Sequence, residues 1–108
     1  MGVMNNYVEA LFVLLPEDAG GRAAAVEPRG GGYCPMLRGA DGAMLRIRVI
    51  EGPPRIAPGQ DGHVVAHVET PLADDALLAP GSELDVIEDE RVVGILSVAR
   101  LWRGAAVA

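Results

Sequence analysis

The residues best able to do chemistry in this chain are two histidines, one cysteine, a run of carboxylates and a glycine triplet. His63 and His67 stand four apart, the spacing that puts two zinc ligands on one face of a helix. The surrounding GHVVAHVE reads as a strand, where the pair lies roughly 13 Å apart at about 3.3 Å per residue. One ion cannot bridge that gap, so the histidines read as polar positions on an exposed strand face and no metal is expected. Cys34, between Tyr33 and Pro35, would need a base and an activating environment to be a nucleophile. No Cys–His–Asn arrangement accompanies it, and it reads as a quiet, partly buried thiol. Glu83, Asp85, Glu88, Asp89 and Glu90 gather like a cation site but lack the alternating Asp-x-Asp-x-Asp-Gly spacing of a calcium loop. A charged hairpin suits them better, with Glu83, Asp85 and Glu88 largely solvated, and Asp74-Asp75 reads as a solvated loop pair. A phosphate cradle follows a strand and opens a helix, whereas Gly30-Gly31-Gly32 precedes Tyr33-Cys34-Pro35 and reads as a flexible loop. No catalytic constellation emerges, so neither an enzyme nor a cofactor is expected.

What remains is surface chemistry. Arg46 and Arg48, with Arg38 nearby, are either a small cationic patch or, as favoured here, partners for acids on neighbouring strands. Trp102, the sole tryptophan, either caps one end of the fold or anchors a protein contact, where tryptophan is often a hot spot. All nine basic residues are arginine, against fifteen acids, for a net charge of −6 over 108 residues. That balance disfavours nucleic acid and anionic membranes as default partners. It is uneven: residues 1–56 hold six Arg and six acids, so residues 57–108 carry the whole excess. The apolar run Ala10–Leu15 is too short to span a membrane. No basic segment precedes it, and a signal peptide is not expected. A single cysteine makes no internal disulfide, and a cytoplasmic location follows as the simplest expectation.

The elements that must position these residues are strands. Half the chain is hydrophobic and only four residues are aromatic, so the core falls to aliphatic side chains. Gly and Pro punctuate short Val-, Ile- and Leu-rich segments about every ten residues, the spacing of an all-β sandwich or barrel. Six strands are predicted, over residues 7–15, 33–38, 44–50, 62–69, 83–88 and 91–101. The clearest is MLRIRVI, with Leu45, Ile47 and Val49 inward and Arg46 and Arg48 outward. Residues 22–31 read as loop, and 71–80 hold at most one helical turn between Pro71 and Pro80. The organisation expected is an N-terminal extension over 1–6, one barrel domain over 7–102 and a frayed tail over 103–108.

The order of the turn motifs resembles the C-terminal β-barrel domain, domain 3, of the elongation factor Tu family. That family opens with an acidic turn ending in Gly-Gly-Arg, here Glu17-Asp18-Ala19-Gly20-Gly21-Arg22, and continues with Gly-Tyr-x-Pro, here Gly32-Tyr33-Cys34-Pro35. Glu51-Gly52 and Pro58-Gly59 follow at the family's interval, Thr70-Pro71 matches its residue-Pro pair, and Arg91-Val92-Val93-Gly94 leads its last strand. The similarity covers about residues 7–102 and implies a six-stranded closed antiparallel barrel. The family's GTP-binding domain has no counterpart, since a chain without lysine cannot carry a G-x-x-x-x-G-K-[ST] loop. In the family, the segment after Gly-Gly-Arg helps hold the T-stem of aminoacyl-tRNA with basic and polar residues. Here it is Ala23-Ala24-Ala25-Val26-Glu27-Pro28-Arg29, about three residues longer and mostly apolar, with only Arg22 at a matched position. A second insertion of about four residues falls in 72–80.

The resemblance and the missing machinery together lead to the expectation of a non-enzymatic, stand-alone β-barrel that binds a protein partner, with the translation apparatus as one source of that partner. The expected contact residues are Arg22, Arg29, Tyr33 and Trp102, around the inserted loop 23–31. Two alternatives stay open: a weak tRNA- or RNA-binding domain, and a small barrel that sequesters a ligand in a polar-lined interior.

Overall fold

A computed structural model describes residues 4–70 and 75–105. Six strands run through it: β1 (Met4–Leu14), β2 (Met36–Arg38), β3 (Met44–Glu51), β4 (Asp61–Val68), β5 (Glu83–Glu88) and β6 (Arg91–Ala105). They close into an all-β, antiparallel barrel in the order β1-β4-β3-β2-β5-β6, the last strand pairing back onto the first. The expected fold class is therefore the one found. Closure leaves no open sheet edge along the paired ladder, which is how a small all-β domain avoids edge-to-edge association.

Period-2 alternation decides which residues fill the interior. Val8, Ala10, Phe12 and Leu14 point inward from β1, Leu45, Ile47 and Val49 from β3, and Val64, Ala66 and Val68 from β4. Leu84 and Val86 join them from β5, and Leu96 and Val98 from β6. Every buried residue among those described is apolar or glycine or proline, and no polar or charged side chain is buried. The narrow interior of a six-stranded barrel is thus packed solid, as small barrels are.

Three register shifts bend the ladder, at Glu9/Ala10 against β6, Val49/Glu51 against β4 and Val86/Ile87 against β6. Such bulges add an unpaired residue and sharpen the local twist that a small barrel needs to close. The bulge opposite Glu9/Ala10 has a second effect. It absorbs Ala99, so the inward set on β6 moves from Leu96 and Val98 to Leu101, opposite Val8. Arg100 and Trp102 consequently share the outer face. Gly94 lets β6 cross β1 closely: a Cβ there would lie 2.6 Å from the Val13 carbonyl oxygen and 3.5 Å from the Phe12 ring.

Several boundaries differ from the sequence expectation. β1 begins at Met4, and β6 runs on through Ala105, so Asn5, Asn6, Arg103 and Gly104 are strand rather than extension or tail. Gly104 fits because the Tyr7 ring packs over it, 3.3 Å from where a Cβ would stand. The predicted strand at 33–38 shrinks to Met36–Arg38, with Tyr33 kept as an isolated bridge to Val49. Among the described residues helical structure is confined to two 3-10 turns, Glu17–Ala19 and Asp75–Leu78. The second turn buries Leu78 against the core. Thr70 is described but Pro71 and Asp74 lie outside the described residues.

Candidate functional site

The loop between the Glu17–Ala19 turn and β2 is stapled to the barrel rather than loose. Val26 and Ile56 exchange two backbone hydrogen bonds of 2.8 Å, and both side chains are buried. Further on, the Gly31 amide donates to the Val49 carbonyl at 3.1 Å, and the Val49 amide donates to the Tyr33 carbonyl at 2.9 Å. Gly30 and Gly31 have φ of 80° and 78°, a left-handed pair that turns the chain back onto β3. Side chains other than glycine resist that conformation, so the triplet is a built turn and not the flexible loop expected from composition.

Tyr33 closes this end of the barrel. Its ring meets Phe12 edge-on with centroids 6.0 Å apart, and its hydroxyl donates a hydrogen bond to Glu88. Arg22 reaches the same carboxylate, Nη1 to Oε2 at 2.9 Å, with its guanidinium 5.8 Å from the Tyr33 ring centroid. Burial pushes the Tyr33 phenol well above its ordinary value of 10.0, and the hydrogen bond to Glu88 and that carboxylate's charge push the same way; Arg22 opposes them. Glu88 is accordingly not the solvated hairpin residue that the sequence led us to expect. Its side chain is 25% exposed and holds two groups that are 66 and 55 residues away in sequence.

Beside this latch the loop and its neighbours frame a cleft of about 550 Å³. Arg22, Arg29 and Tyr33 line it, so three of the four predicted contact residues meet at one place. Ala25 and Val26 supply an apolar wall, Glu27 is the one acid, and Arg55 completes the rim. Arg55 was not singled out in the sequence; it enters because the Val26–Ile56 bridge draws its loop alongside. The three guanidinium groups are differently occupied. Arg22 is paired with Glu88, and Arg29 donates Nε to the Gly52 carbonyl at 2.7 Å, with no partner for its terminal nitrogens among the described residues. Among the described residues Arg55 makes no ion pair and no side-chain hydrogen bond.

Trp102 does not line this cleft. It lies eleven positions beyond Arg91 on β6, on the order of 30 Å along the strand, toward the opposite end of the barrel. It stacks on its register partner Tyr7 at 5.7 Å, and Arg100 lies 4.5 Å from its centroid. The expectation that it caps the barrel is corrected by the Ala99 bulge, which turns it outward.

The other chemistry-bearing residues are dispersed. His67 packs beside Tyr7, ring centroids 5.4 Å apart, with Nδ1 3.0 Å from Glu69 Oε2 but out of line for a hydrogen bond. His63 is exposed in a shallow hollow of about 340 Å³ with Glu9 and Glu51, where Glu9 already pairs with Arg100 at 3.0 Å. No group of three metal-ligating side chains converges among the described residues. Cys34 is exposed rather than partly buried, its Sγ donating weakly to the Gly31 carbonyl at 3.6 Å. Arg38 and Arg48 pair with Asp85 and Glu69, each at 2.9 Å, as favoured from the sequence, whereas Arg46 makes no ion pair among the described residues. A barrel that sequesters a ligand needs a polar-lined interior, and this interior is filled with aliphatic side chains. No helix among the described residues is long and apolar enough to cross a membrane.

Compared with models of protein families and with curated protein sequences, the chain matches none.

Proposed function

We propose that this chain is a non-enzymatic binding module that contacts a protein partner through the cleft lined by Arg22, Arg29, Arg55 and Tyr33. The observation that supports this reading is their convergence. Residues 22, 29 and 33 come from the long loop before β2 and residue 55 from the β3–β4 connection, yet they line one opening beside a barrel whose interior is filled with apolar side chains. The turn motifs that resemble domain 3 of elongation factor Tu fit the same reading, with the chain as a relative of that domain acting in the cytoplasm. The partner then belongs to the translation apparatus or to proteins that recognise that domain. Trp102, with Tyr7 and Arg100, is a second and separate surface in this scheme.

The test is affinity capture with the intact chain at micromolar concentration in lysate of the source cell, with and without ribonuclease. The expected result is a discrete protein that survives ribonuclease and is lost when Arg29 and Arg55 are both changed to Glu, with the variant's circular dichroism unchanged. Recovery of nothing above background refutes the reading. Recovery that depends on RNA favours the nucleic-acid alternative.

A further inference from the structure

We infer that the cleft takes an acidic peptide segment, one carboxylate of which is held between the terminal nitrogens of Arg29 and the guanidinium of Arg55. This rests on the binding-module reading and gives its partner a chemistry. The local sign is the first argument. Arg22, Arg29 and Arg55 line the cleft with Glu27, and Arg22 is neutralised by Glu88, so one positive charge is left over in a chain whose net charge is −6, and this opening attracts an anion that the rest of the molecule repels. The second argument is which cations are free to act. Among the described residues Arg22 is occupied by Glu88, Arg29 holds only a backbone carbonyl through Nε, and Arg55 holds nothing. A guanidinium fork matches the plane of a carboxylate and binds it with two parallel hydrogen bonds.

The wall decides between anions. Ala25 and Tyr33 line the cleft beside the arginines, so the ligand carries apolar groups next to its charge. A volume of about 550 Å³ lies within the usual 300–1,000 Å³ range of ligand sites and suits a few peptide residues. A nucleic-acid strand instead presents a charge at every nucleotide and is held by a track of cations. Here Glu27 stands in the lining, Glu88 sits against Arg22, and Glu51 precedes the Gly52 that Arg29 holds, so no such track forms. A single carboxylate flanked by apolar side chains fits what is present.

The experiment titrates the intact, ¹⁵N-labelled chain with a synthetic decapeptide alternating glutamate and leucine, in about 50 mM salt. Backbone and arginine side-chain resonances are followed. Parallel arms use the same peptide with glutamine for glutamate, and a ten-nucleotide single-stranded RNA. The acidic peptide is expected to shift Arg29, Arg55 and Tyr33 saturably. The glutamine peptide and the Arg55→Gln variant should each weaken binding about tenfold, the scale of one charge-assisted contact. Glu27→Gln should tighten it about two- to fivefold by removing the like charge, an effect no structural role for Glu27 would produce. Equal binding of the two peptides, shifts centred outside the cleft, or an Arg55→Gln variant that binds as before overturns the inference. Tighter binding of the RNA at the same resonances also overturns it. Failure here beside a captured protein partner sinks the peptide chemistry alone, whereas capture of nothing sinks the module reading.

Discussion

Removing the Tyr33 hydroxyl tests the latch most directly. Tyr33→Phe keeps the ring against Phe12 and deletes only the hydrogen bond to Glu88. A hydrogen bond to a charged acceptor contributes about 1.5–3 kcal/mol. Glu88 is partly exposed and keeps Arg22, so the lower end applies and a loss of about 1.5 kcal/mol is expected near pH 8. For a domain this size that lowers Tm by roughly 5–10 °C. The alkaline limb adds a sign. The folded-state value of Tyr33 is raised, so the stabilisation is complete below the unfolded phenol's value of 10.0 and is lost as pH climbs past it. Wild-type stability should therefore fall by about 1.4 kcal/mol per pH unit above 10 relative to Tyr33→Phe, bringing the two proteins level near pH 11. Urea unfolding followed by Trp102 fluorescence and far-ultraviolet circular dichroism, from pH 8 to 11, measures both effects. A difference that stays constant across that range would falsify the claim that the folded barrel holds the Tyr33 proton. Equal stabilities at pH 8 would remove the hydrogen bond from the account.

Other changes test the frame around the latch. The β5–β6 hairpin turns on Asp89 and Glu90, both with positive φ, 49° and 64°. Type I′ turns favour glycine in the second central place, so Glu90→Gly should raise the urea midpoint by the equivalent of about 0.5–1 kcal/mol; a lower midpoint contradicts the assigned turn. Gly94→Ala forces a methyl against the Val13 carbonyl and should cost about 2–3 kcal/mol by the same measurement, with a neutral result refuting the close crossing. Phe12→Ala empties the centre of the core and removes the edge that Tyr33 rests on. A loss of about 3–5 kcal/mol is expected, and retention of near-wild-type Tm would show that the barrel collapses around the gap.

What was legible in the sequence was whatever has a local period. Leu45, Ile47 and Val49 against Arg46 and Arg48 announce a half-buried strand, and the Gly and Pro spacing announces how many such strands follow. Bulges break the period and were not legible. The one that absorbs Ala99 swaps the faces of Leu101 and Trp102, so a tryptophan that the sequence left as either a cap or a contact anchor is an outer-face residue. Partners remote in sequence were equally hidden. Nothing near Glu88 signals that Arg22 and Tyr33 arrive from 66 and 55 residues away, and a carboxylate in a charged hairpin looks solvated until they do. Arg55 lay between two prolines and an isoleucine, with no periodicity to mark it. Its place beside Arg29 follows from one bridge, Val26 to Ile56, that no local rule predicts.

Closing the barrel by pairing β1 with β6 also sets how the molecule answers a mechanical load. Met4 and Ala105 are register partners, so the ends of the described chain stand side by side, about 5 Å apart at their Cα atoms. Tension applied through those ends pulls across the strands and not along them. The β1–β6 ladder then opens like a zipper, one residue pair at a time from Met4–Ala105 inward, and each step meets only a pair or so of hydrogen bonds. The barrel should yield at low force in that direction. Loaded instead between Met4 and the Glu88–Arg91 hairpin, the same ladder must shear along its whole length, and should resist far more.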